Sequence, residues 1–222
     1  MAEYKVVEKF VSINGEGTHA GQLAVFIRFK GCNLRCSYCD TMWANEENAP
    51  FTVMTEDDIY NYIMSTGVKN VTLTGGEPLI QPDIIILLEK LAADENIRVE
   101  IETNGSADIS PIVSIKNRPS LTLDYKLGGS GMEQHMLTDN YNYIGKQDTV
   151  KFVVSSRDDL ITAKNVIETY GLTEKCSVYF SPVFGRIEPA DIVDFMIQNK
   201  MNGVNMQLQL HKFIWDPNKR GV

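Results

Sequence analysis

Seven short runs rich in β-branched and aromatic residues recur along this 222-residue chain, with helix-like patterns between them. The predicted strands are 23–29, 70–74, 98–103, 121–125, 149–154, 177–183 and 203–210. Strands that alternate with helices in this way are typical of βα units, which build a parallel sheet. A further run, EYKVVEKFVSI at 3–13, precedes the first unit and is predicted to pair at an edge of the sheet.

Helical patterns fill the gaps between the strands, and the first of them begins after Thr55, a predicted N-cap. The predicted helical segments are 55–66, 81–95, 156–171 and 188–200. A complete eightfold βα barrel usually needs about 250 residues, so this chain predicts an α/β fold with an incomplete, TIM-like barrel of about six parallel strands. No low-complexity linker interrupts the chain. We therefore expect a single domain over 1–222, with an N-terminal edge strand and a C-terminal capping segment.

Composition narrows the classes of partner and compartment. The formal net charge of -8 argues against a broad basic surface for nucleic acid and favours a small-molecule partner. The chain has no apolar run of about 18 residues and no signal-peptide pattern at its start. These features predict a cytoplasmic protein that is not embedded in a membrane.

Three of the four cysteines lie close together, as Cys32, Cys36 and Cys39 in KGCNLRCSYCDT. Three thiolates can hold a 4Fe-4S cluster and leave one of its irons open to a ligand. The triplet follows the first barrel strand, so it is expected at the C-terminal face, where βα loops build active sites. A structural zinc site is the alternative, but it needs a fourth Cys or His, and His19 is the nearest in sequence. Cys176 begins a strand and is predicted to be an inert buried thiol.

A second motif, Thr-Gly-Gly-Glu-Pro at 74–78, follows the second barrel strand. Glycines let the backbone approach a ligand closely, and Glu77 can accept a hydrogen bond from a cationic ammonium. An ordinary strand-to-helix turn is the alternative for this motif alone. Together with the cysteine triplet and Tyr38 before its last member, the motif resembles the radical S-adenosylmethionine (SAM) superfamily. That resemblance implies a cluster whose open iron binds SAM, and cleavage of SAM to a 5'-deoxyadenosyl radical.

Nearly the whole chain resembles one family of that superfamily, the 7-carboxy-7-deazaguanine synthases. The likeness runs through SINGEGTHAGQLAVFIRFKGCNLRC, CDT, TGGEP, ETNGS and QLHKFIWDPNKRGV. It implies a carbon–nitrogen lyase that converts 6-carboxy-5,6,7,8-tetrahydropterin into 7-carboxy-7-deazaguanine with loss of ammonia, a ring contraction in queuosine and 7-deazapurine biosynthesis. The implied cofactors are the 4Fe-4S cluster, SAM and Mg²⁺. The implied partners are the pterin and an external electron donor of the flavodoxin or ferredoxin type.

The resemblance carries individual roles to residues of this sequence. The substrate-binding positions are Ile13, Asn14, Gly15, Glu16, Arg28, Thr74, His211 and Val222. The SAM-binding positions are Tyr38, Cys39, Asp40, Gly76, Glu77, Asp124, Tyr125, Lys126, Ser181, Pro182, Val183 and Phe184. The magnesium ligand is Thr41, and the resemblance implies no catalytic side chain beyond the cluster and SAM.

Several of these positions have an alternative interpretation from the sequence alone. Arg28 suits a carboxylated pterin by bidentate pairing, or it faces outward from an amphipathic strand. Glu16 suits the N–H groups of the pterin, or it is a solvated turn carboxylate. Thr41 offers a hard oxygen to Mg²⁺, although Asp-Thr also suits a helix cap. The C-terminal segment either frays or docks over the open side of the barrel; Phe213 and Trp215 favour docking, because both would be costly to expose.

The chain departs from the family pattern at Asn14, at Asp124-Tyr125 and at Ser181, which affects side-chain contacts more than backbone contacts. Two other functions compete with the synthase. A radical SAM activase, which takes hydrogen from a glycine of a partner protein, would need a protein-docking surface. A non-enzymatic iron–sulfur carrier or sensor would have no use for Gly-Gly-Glu-Pro or for Arg28. The sequence leaves open whether the chain forms a homodimer.

Overall fold

One mixed sheet of nine strands organises the computed structural model, which describes residues 1–222. The strands are β1 (Glu3–Ile13), β2 (Leu23–Phe29), β3 (Thr52–Thr55), β4 (Asn70–Gly75), β5 (Arg98–Thr103), β6 (Ser120–Tyr125), β7 (Thr149–Val154), β8 (Ser177–Pro182) and β9 (Val204–Met206). Their spatial order is β3-β1-β2-β4-β5-β6-β7-β8-β9. From β2 onward in this order every pairing is parallel, and the sheet does not close, which confirms the predicted partial βα barrel.

The strand β1 is antiparallel to both of its neighbours, β2 and β3. The N-terminal run does lie outside the parallel sheet, but β3, which the sequence prediction missed, takes the edge position. This strand is only four residues long and leads straight into a helix through Thr55. Four residues carry too little alternation of polar and apolar side chains for the strand to be recognised.

Helices lie between most of the parallel strands and cover one face of the sheet, whereas only 3-10 turns lie between β6 and β7. The helices are α1 (Glu56–Thr66), α2 (Ile84–Ala92), α3 (Ser110–Val113), α4 (Arg157–Tyr170), α5 (Leu172–Lys175), α6 (Pro189–Gln198) and α7 (His211–Ile214). Short 3-10 turns lie at Met42–Asn45, Pro78–Ile80, Gly128–Ser130, Glu133–His135 and Thr138–Asn142. As predicted, Thr55 caps α1, through a reciprocal pair of bonds with Asp58. None of the helices is long and apolar enough to cross a membrane.

The two faces of the sheet differ in polarity, because successive side chains of a strand point to opposite sides. On β2, Val25, Ile27 and Phe29 belong to the apolar core beneath the helices, whereas Arg28 lies on the other face. One apolar cluster lies beneath α1 to α3, and a second lies beneath α4 to α6. The opposite face, called the inner face below, carries the polar side chains Arg28, Thr74, Glu100, Glu102, Asp124, Lys151 and Ser181.

The strand predicted over 203–210 is too long. Strand pairing ends at Met206, and the chain then turns toward the loop between β1 and β2. There the amide of Gly17 donates to Gln207 Oε1 at 2.8 Å. Beyond Met206 the backbone leaves the sheet, because the polar side chains there form hydrogen bonds with this loop. These side-chain bonds bridge the open side of the barrel.

The C-terminal segment, residues 207–222, lies against the loops at the same end of the sheet. The amide of Leu210 donates to the carbonyl of Gly15 at 3.1 Å. Further along, the guanidinium of Arg220 lies 4.1 Å from the ring centre of Trp43. These contacts bring the end of the chain beside the 3-10 turn that follows the cysteine triplet.

Candidate active site

The cysteine loop, residues 30–41, leaves the C-terminal end of β2 and is held by bonds within itself and to neighbouring segments. The guanidinium of Arg35 donates to the carbonyl of Cys32 at 2.7 Å, and Ser37 Oγ donates to the carbonyl of Gly129 at 2.7 Å. The second bond ties the loop to the segment after β6. The loop therefore lies at the end of the sheet where the functional loops of βα barrels gather.

All three cysteines of this loop are free and partly buried. Cys32 Sγ lies 3.4 Å from the amide nitrogen of Leu34 and 3.5 Å from Asn104 Nδ2, two donors that suit a sulfur acceptor. Burial raises the pKa of the Cys36 thiol, and the neighbouring thiols of Cys39 and Cys32 raise it further. The three sulfurs thus share one small region.

The structure contains no zinc-type site for a single metal ion, and the fourth cysteine lies away from the cysteine loop. No three His, Cys, Asp or Glu side chains converge as the ligands of a single metal ion would. Cluster thiolates bind separate irons, so they surround a larger volume than the ligands of a single ion do.

Cys176 is buried in the second apolar cluster, where burial raises its pKa to about 11. These surroundings suit the inert thiol that the sequence predicted.

Gly75 and Gly76 hold the end of β4 against the start of the cysteine loop. A Cβ on Gly76 would collide with the carbonyl of Gly31, and a Cβ on Gly75 would collide with the backbone of Phe29. The amides of Gly76 and Glu77 donate to the carbonyls of Phe29 and Gly31 at 3.0 and 2.8 Å. Glycine is required here by the distance between two backbones, so this motif sets the spacing of the two loops.

Glu77 has an internal role that the sequence did not reveal. Its side chain is fully buried; Oε1 accepts from the amide of Leu79 at 3.0 Å and from Thr103 Oγ1 at 2.8 Å, and Oε2 accepts from the amide of Asn104 at 2.6 Å. Burial raises the pKa of this carboxyl, against the effect of the donors. The carboxylate ties the turn after β4 to the end of β5. Its contact with a ligand ammonium stays a prediction.

An ion network crosses the inner face. Lys151 Nζ of β7 lies 3.1 Å from Glu16 Oε2 and 3.2 Å from Asp124 Oδ1, and Lys126 Nζ lies 2.7 Å from Asp124 Oδ2. Burial alone would raise the pKa of Asp124, but the two lysines hold it below its usual value. Sequence reasoning missed Lys151, although it is the one charged residue of the apolar strand TVKFVV.

Strand β5 adds two carboxyls that sequence reasoning also missed. Glu100 accepts from Thr122 Oγ1, and Glu102 accepts from Thr74 Oγ1 at 2.8 Å. Burial raises the pKa of both carboxyls, and repulsion from Glu102 contributes to raising that of Glu100 to about 7. The available signal was the run RVEIET, because residues two apart in a strand share a face.

Arg28 lies on the inner face near the end of β2, in register with Thr74 of β4. Its Nε donates to Glu8 Oε2 at 3.0 Å, and its terminal nitrogens make no hydrogen bond within the protein. A guanidinium held in this way presents a fork that suits a carboxylate. The alternative of an outward-facing arginine does not apply, since the helices cover the other face of β2.

The loop between β1 and β2 begins after Ile13 and is held from two directions. His211 packs so closely on Gly15 that a Cβ there would collide with His211 Nδ1. Burial lowers the pKa of His211. Asn14 is buried, and its Oδ1 accepts from Thr72 Oγ1 at 2.9 Å. The side chain of Asn14 therefore anchors the loop to β4, and its backbone bonds to Gly21 and Gln22 close the loop on itself.

The residues predicted to contact SAM lie on both faces of the sheet. Tyr125 points away from the inner face: its ring belongs to the second apolar cluster and its hydroxyl donates to Glu133 Oε1 at 3.2 Å. Ser181 is buried and donates to Glu16 Oε1, while Phe184 is half-exposed on the turn after β8. The structure thus brings Ser181 into the inner-face network but does not bring the Tyr125 side chain there.

Thr41 occupies the N-cap position of the 3-10 turn Met42–Asn45, but its side chain makes no capping bond. Its Oγ1 instead lies 3.6 Å from Cys39 Sγ. The adjacent Asp40 is half-exposed and lies 3.8 Å from Lys212 Nζ of the C-terminal segment, in which Val222 is partly buried. The Thr41 hydroxyl therefore faces the cysteine triplet, which a purely capping role does not explain.

Replacing Glu100 by Gln should stabilise the protein at pH 8. It should also reduce the fall in stability between pH 6 and pH 8. The charged or titratable groups near Glu100 are Glu102, Lys151, Tyr179 and Glu16. Because the pKa of Glu100 is raised from 4.5 to about 7, the folded chain binds a proton in this range that the unfolded chain has lost. The stability contributed by this group is therefore lost as the pH rises from about 4.5 to about 7, by up to about 3 kcal/mol for the full shift, of which roughly 1 kcal/mol falls between pH 6 and pH 8.

Melting temperatures at pH 6 and pH 8 (roughly one unit either side of the titration) check this expectation for both proteins. The unmodified chain should melt at a lower temperature at pH 8, and this difference should be smaller in Glu100→Gln. An equal drop in both proteins would contradict it.

Comparison with known proteins agrees with this arrangement. Residues 26–123 match the family model of the radical SAM superfamily, a stretch that contains the cysteine loop and the two glycines after β4. The chain is 59% identical over 219 residues to the 7-carboxy-7-deazaguanine synthase of Clostridium acetobutylicum, covering 99% of each chain. It is 38% identical over 224 residues to the protein of the same name from Chlorobaculum tepidum, covering 100% of this chain and 98% of the relative.

A solved structure shares the fold. The crystal structure of QueE from Escherichia coli matches with a TM-score of 0.73 at 22% identity, over 93% of this chain and 94% of that one. This likeness supports the partial barrel, and the relatives from Clostridium acetobutylicum and Chlorobaculum tepidum carry the assignment further, since their identity extends over the full length. The chain belongs to the 7-carboxy-7-deazaguanine synthase family, within the radical SAM superfamily.

Proposed function

We propose that this chain is a radical SAM enzyme that converts 6-carboxy-5,6,7,8-tetrahydropterin into 7-carboxy-7-deazaguanine with loss of ammonia. The observation that carries the proposal is the cysteine loop fixed beside a polar inner face, on which Arg28 presents two terminal nitrogens without protein partners. A radical generator and a binding group for a carboxylate thus lie at the same end of the sheet. An electron carrier would need only the first of these.

Superfamily membership implies a 4Fe-4S cluster and SAM, and the residues fit both. Cys32, Cys36 and Cys39 are free thiols on one loop, and the amide of Leu34 and Asn104 Nδ2 supply donors to the first of them. When bound, the cluster and SAM supply the reductive cleavage that starts radical chemistry. The chain itself holds the loop and sets its spacing from β4 through two glycines.

SAM would bind where the backbones of Gly76 and of the segments after β6 and β8 approach the cysteine loop. Glu77, buried and bonded internally, supports this position through the turn it stabilises. Asp124 and Lys126 provide charged side chains there, and the backbone of Tyr125 lies between them. The departures of this chain from the family pattern therefore fall on residues that contribute backbone or network contacts.

The pterin would bind over the inner face with its carboxylate toward Arg28. The ring carries several N–H groups, and we assign Glu102, which accepts one bond from Thr74, as a carboxylate that accepts from them. Glu16 is engaged by protein donors, so we assign its role to the loop rather than to the pterin ring. We propose Thr41 as the Mg²⁺ ligand, because its hydroxyl is a hard oxygen donor without a capping bond.

Arg28→Ala should weaken binding of 6-carboxytetrahydropterin by roughly ten- to a hundred-fold, as expected for the loss of a charge-assisted pairing. SAM binding should be spared, because Arg28 lies on β2 and not on the segments assigned to SAM. Equilibrium binding of each ligand to the reconstituted protein measures both effects. Arg98→Ala, at the exposed opposite end of β5, is the control and should leave both affinities unchanged. Equal pterin affinity in Arg28→Ala and the unmodified protein would refute the assignment.

An anaerobic assay tests the proposed function. Reconstituted protein receives a reductant, SAM, Mg²⁺ and 6-carboxytetrahydropterin, and released ammonia is counted against pterin consumed. We expect one ammonia for each pterin, and loss of the reaction when the reductant, SAM or Mg²⁺ is omitted. SAM cleavage without ammonia release would favour the activase alternative, and absence of any SAM cleavage would favour the electron carrier.

We make two further proposals, one on the electron donor and one on the domain organisation. An external reductant of the flavodoxin or ferredoxin type would meet the exposed side of the cysteine loop, where Arg35 and Arg186 contact the backbone of that loop.

Residues 1–222 would act as one domain, a proposal supported by the single sheet that carries both apolar clusters. Cross-linking and sedimentation of the full chain would test the partner and the predicted option of a homodimer.

A further inference from the structure

Lys151 lies on the inner face and contacts two segments that are not neighbours in the sheet. Its side chain is only 8% exposed, and its Nζ lies 3.1 Å from Glu16 Oε2 and 3.2 Å from Asp124 Oδ1. Glu16 belongs to the loop after β1, which carries predicted pterin contacts. Asp124 belongs to β6, which carries predicted SAM contacts. One ammonium therefore bridges the two predicted binding regions.

Glu16 is held across the open side of the barrel by four donors. Besides Lys151 Nζ, it accepts from Ser181 Oγ of β8, from Gln207 Nε2 at 3.3 Å and from Gln209 Nε2 at 3.4 Å. Strands β1 and β9 do not pair, so these side-chain bonds, rather than strand pairing, connect the two sides of the opening. A carboxylate with this many protein donors is a structural anchor of the loop rather than a free ligand-binding group.

The charges around Lys151 require it to stay ionised. Burial alone would lower its pKa, but Asp124, Glu16 and Glu102 raise it well above the usual value. A buried ammonium with close carboxylates holds them in fixed positions, and removing one partner leaves the others uncompensated. Lys151 is thus poorly suited to exchange protons and well suited to fix positions.

We propose that Lys151 is a positioning residue: by joining Glu16 to Asp124 it holds the pterin-binding loop and the SAM-binding strand in one register. The inference rests on the proposed function. Misplacement of reacting groups by about 1 Å is enough to reduce turnover about a hundred-fold. A radical made beside a displaced pterin is spent without product, so loss of Lys151 should uncouple SAM cleavage from product formation.

The test is Lys151→Met, which keeps the length of the side chain and removes its charge. We expect kcat to fall about a hundred-fold, and 5'-deoxyadenosine released per deazaguanine to rise at least about ten-fold. Binding of 6-carboxytetrahydropterin to the protein without SAM, measured by dialysis, should weaken by less than about ten-fold. A variant with an unchanged ratio of 5'-deoxyadenosine to product would overturn the proposal, even if it were less stable.

Two further variants keep the test decisive. Arg118→Met breaks another buried ion pair, with Asp148, away from the inner-face network; it should lower the melting temperature without raising the 5'-deoxyadenosine ratio. Glu16→Gln keeps the size of the anchor and should raise that ratio in the same direction as Lys151→Met. If Lys151→Met fails to fold, a normal ratio in Glu16→Gln overturns the proposal. Failure of the unmodified protein to make deazaguanine would instead refute the proposed function.

Discussion

Cys36→Ala should abolish cluster binding and turnover together. Cys36 stands between Cys32 and Cys39 on a single loop, and all three thiols are free and partly buried, so we expect the three sulfurs to act as one ligand set. Removing a residue that only supports a metal ligand already costs roughly 10- to 100-fold in affinity or activity. Loss of a ligand itself should cost more, because two thiolates leave a second iron of the cluster unprotected.

Iron and sulfide content after anaerobic reconstitution, together with the visible absorption of the cluster, measure this result. Cys176→Ala is the matched control, since Cys176 is the one cysteine outside the loop and lies in the second apolar cluster. The control should keep a full cluster and lose only some stability from the buried cavity. A full cluster and normal activity in Cys36→Ala would show that the ligand assignment is wrong.

Gly76→Ala should disrupt both the fold of the site and its function. The added Cβ would collide with the carbonyl of Gly31, a backbone group that cannot rotate away. Ordinary overpacking costs about 1–3 kcal/mol, and a collision with backbone at this distance should exceed that range. The turn after β4 and the cysteine loop must separate, so the cluster and SAM sites are lost together.

The melting temperature and iron content of Gly76→Ala report these two effects. Gly145→Ala is the control, because a Cβ at Gly145 meets nothing within 4 Å and its backbone is not in the left-handed region. The control should stay within about 0.5 kcal/mol of the unmodified protein. If Gly76→Ala were as stable as Gly145→Ala and bound a full cluster, the close approach of the two backbones would not be required.

The alternating pattern of the chain was sufficient to predict most of the fold. Strands such as 98–103 and 149–154 were predicted with the bounds they have, since a buried run flanked by turn residues is a local signal. The short edge strand β3 was missed, and the last strand was predicted too long. Both errors concern partners distant in sequence: β3 is defined by its pairing with β1, and the chain beyond Met206 is diverted by the loop at Gly15–Gly17.

The candidate site was predictable where a motif is continuous in sequence and not where it is assembled from several strands. The cysteine triplet and the glycines at 75–76 are of the first kind. Lys151 and Glu100 are of the second, since only the register of β5, β6 and β7 brings them to one face. Glu77 shows a third case: its motif was recognised, but its bonds to Thr103 and Asn104 depend on a neighbouring strand.

The cysteine loop, on this proposal, serves the ring contraction of a carboxypterin. The most direct measurement is the mass of the product formed anaerobically from 6-carboxytetrahydropterin, SAM, Mg²⁺ and reductant, with Cys36→Ala run in parallel. We expect a product lighter than the substrate by one ammonia, with the mass of 7-carboxy-7-deazaguanine, and no product from the variant. Unchanged pterin in the presence of a full cluster and cleaved SAM would contradict it.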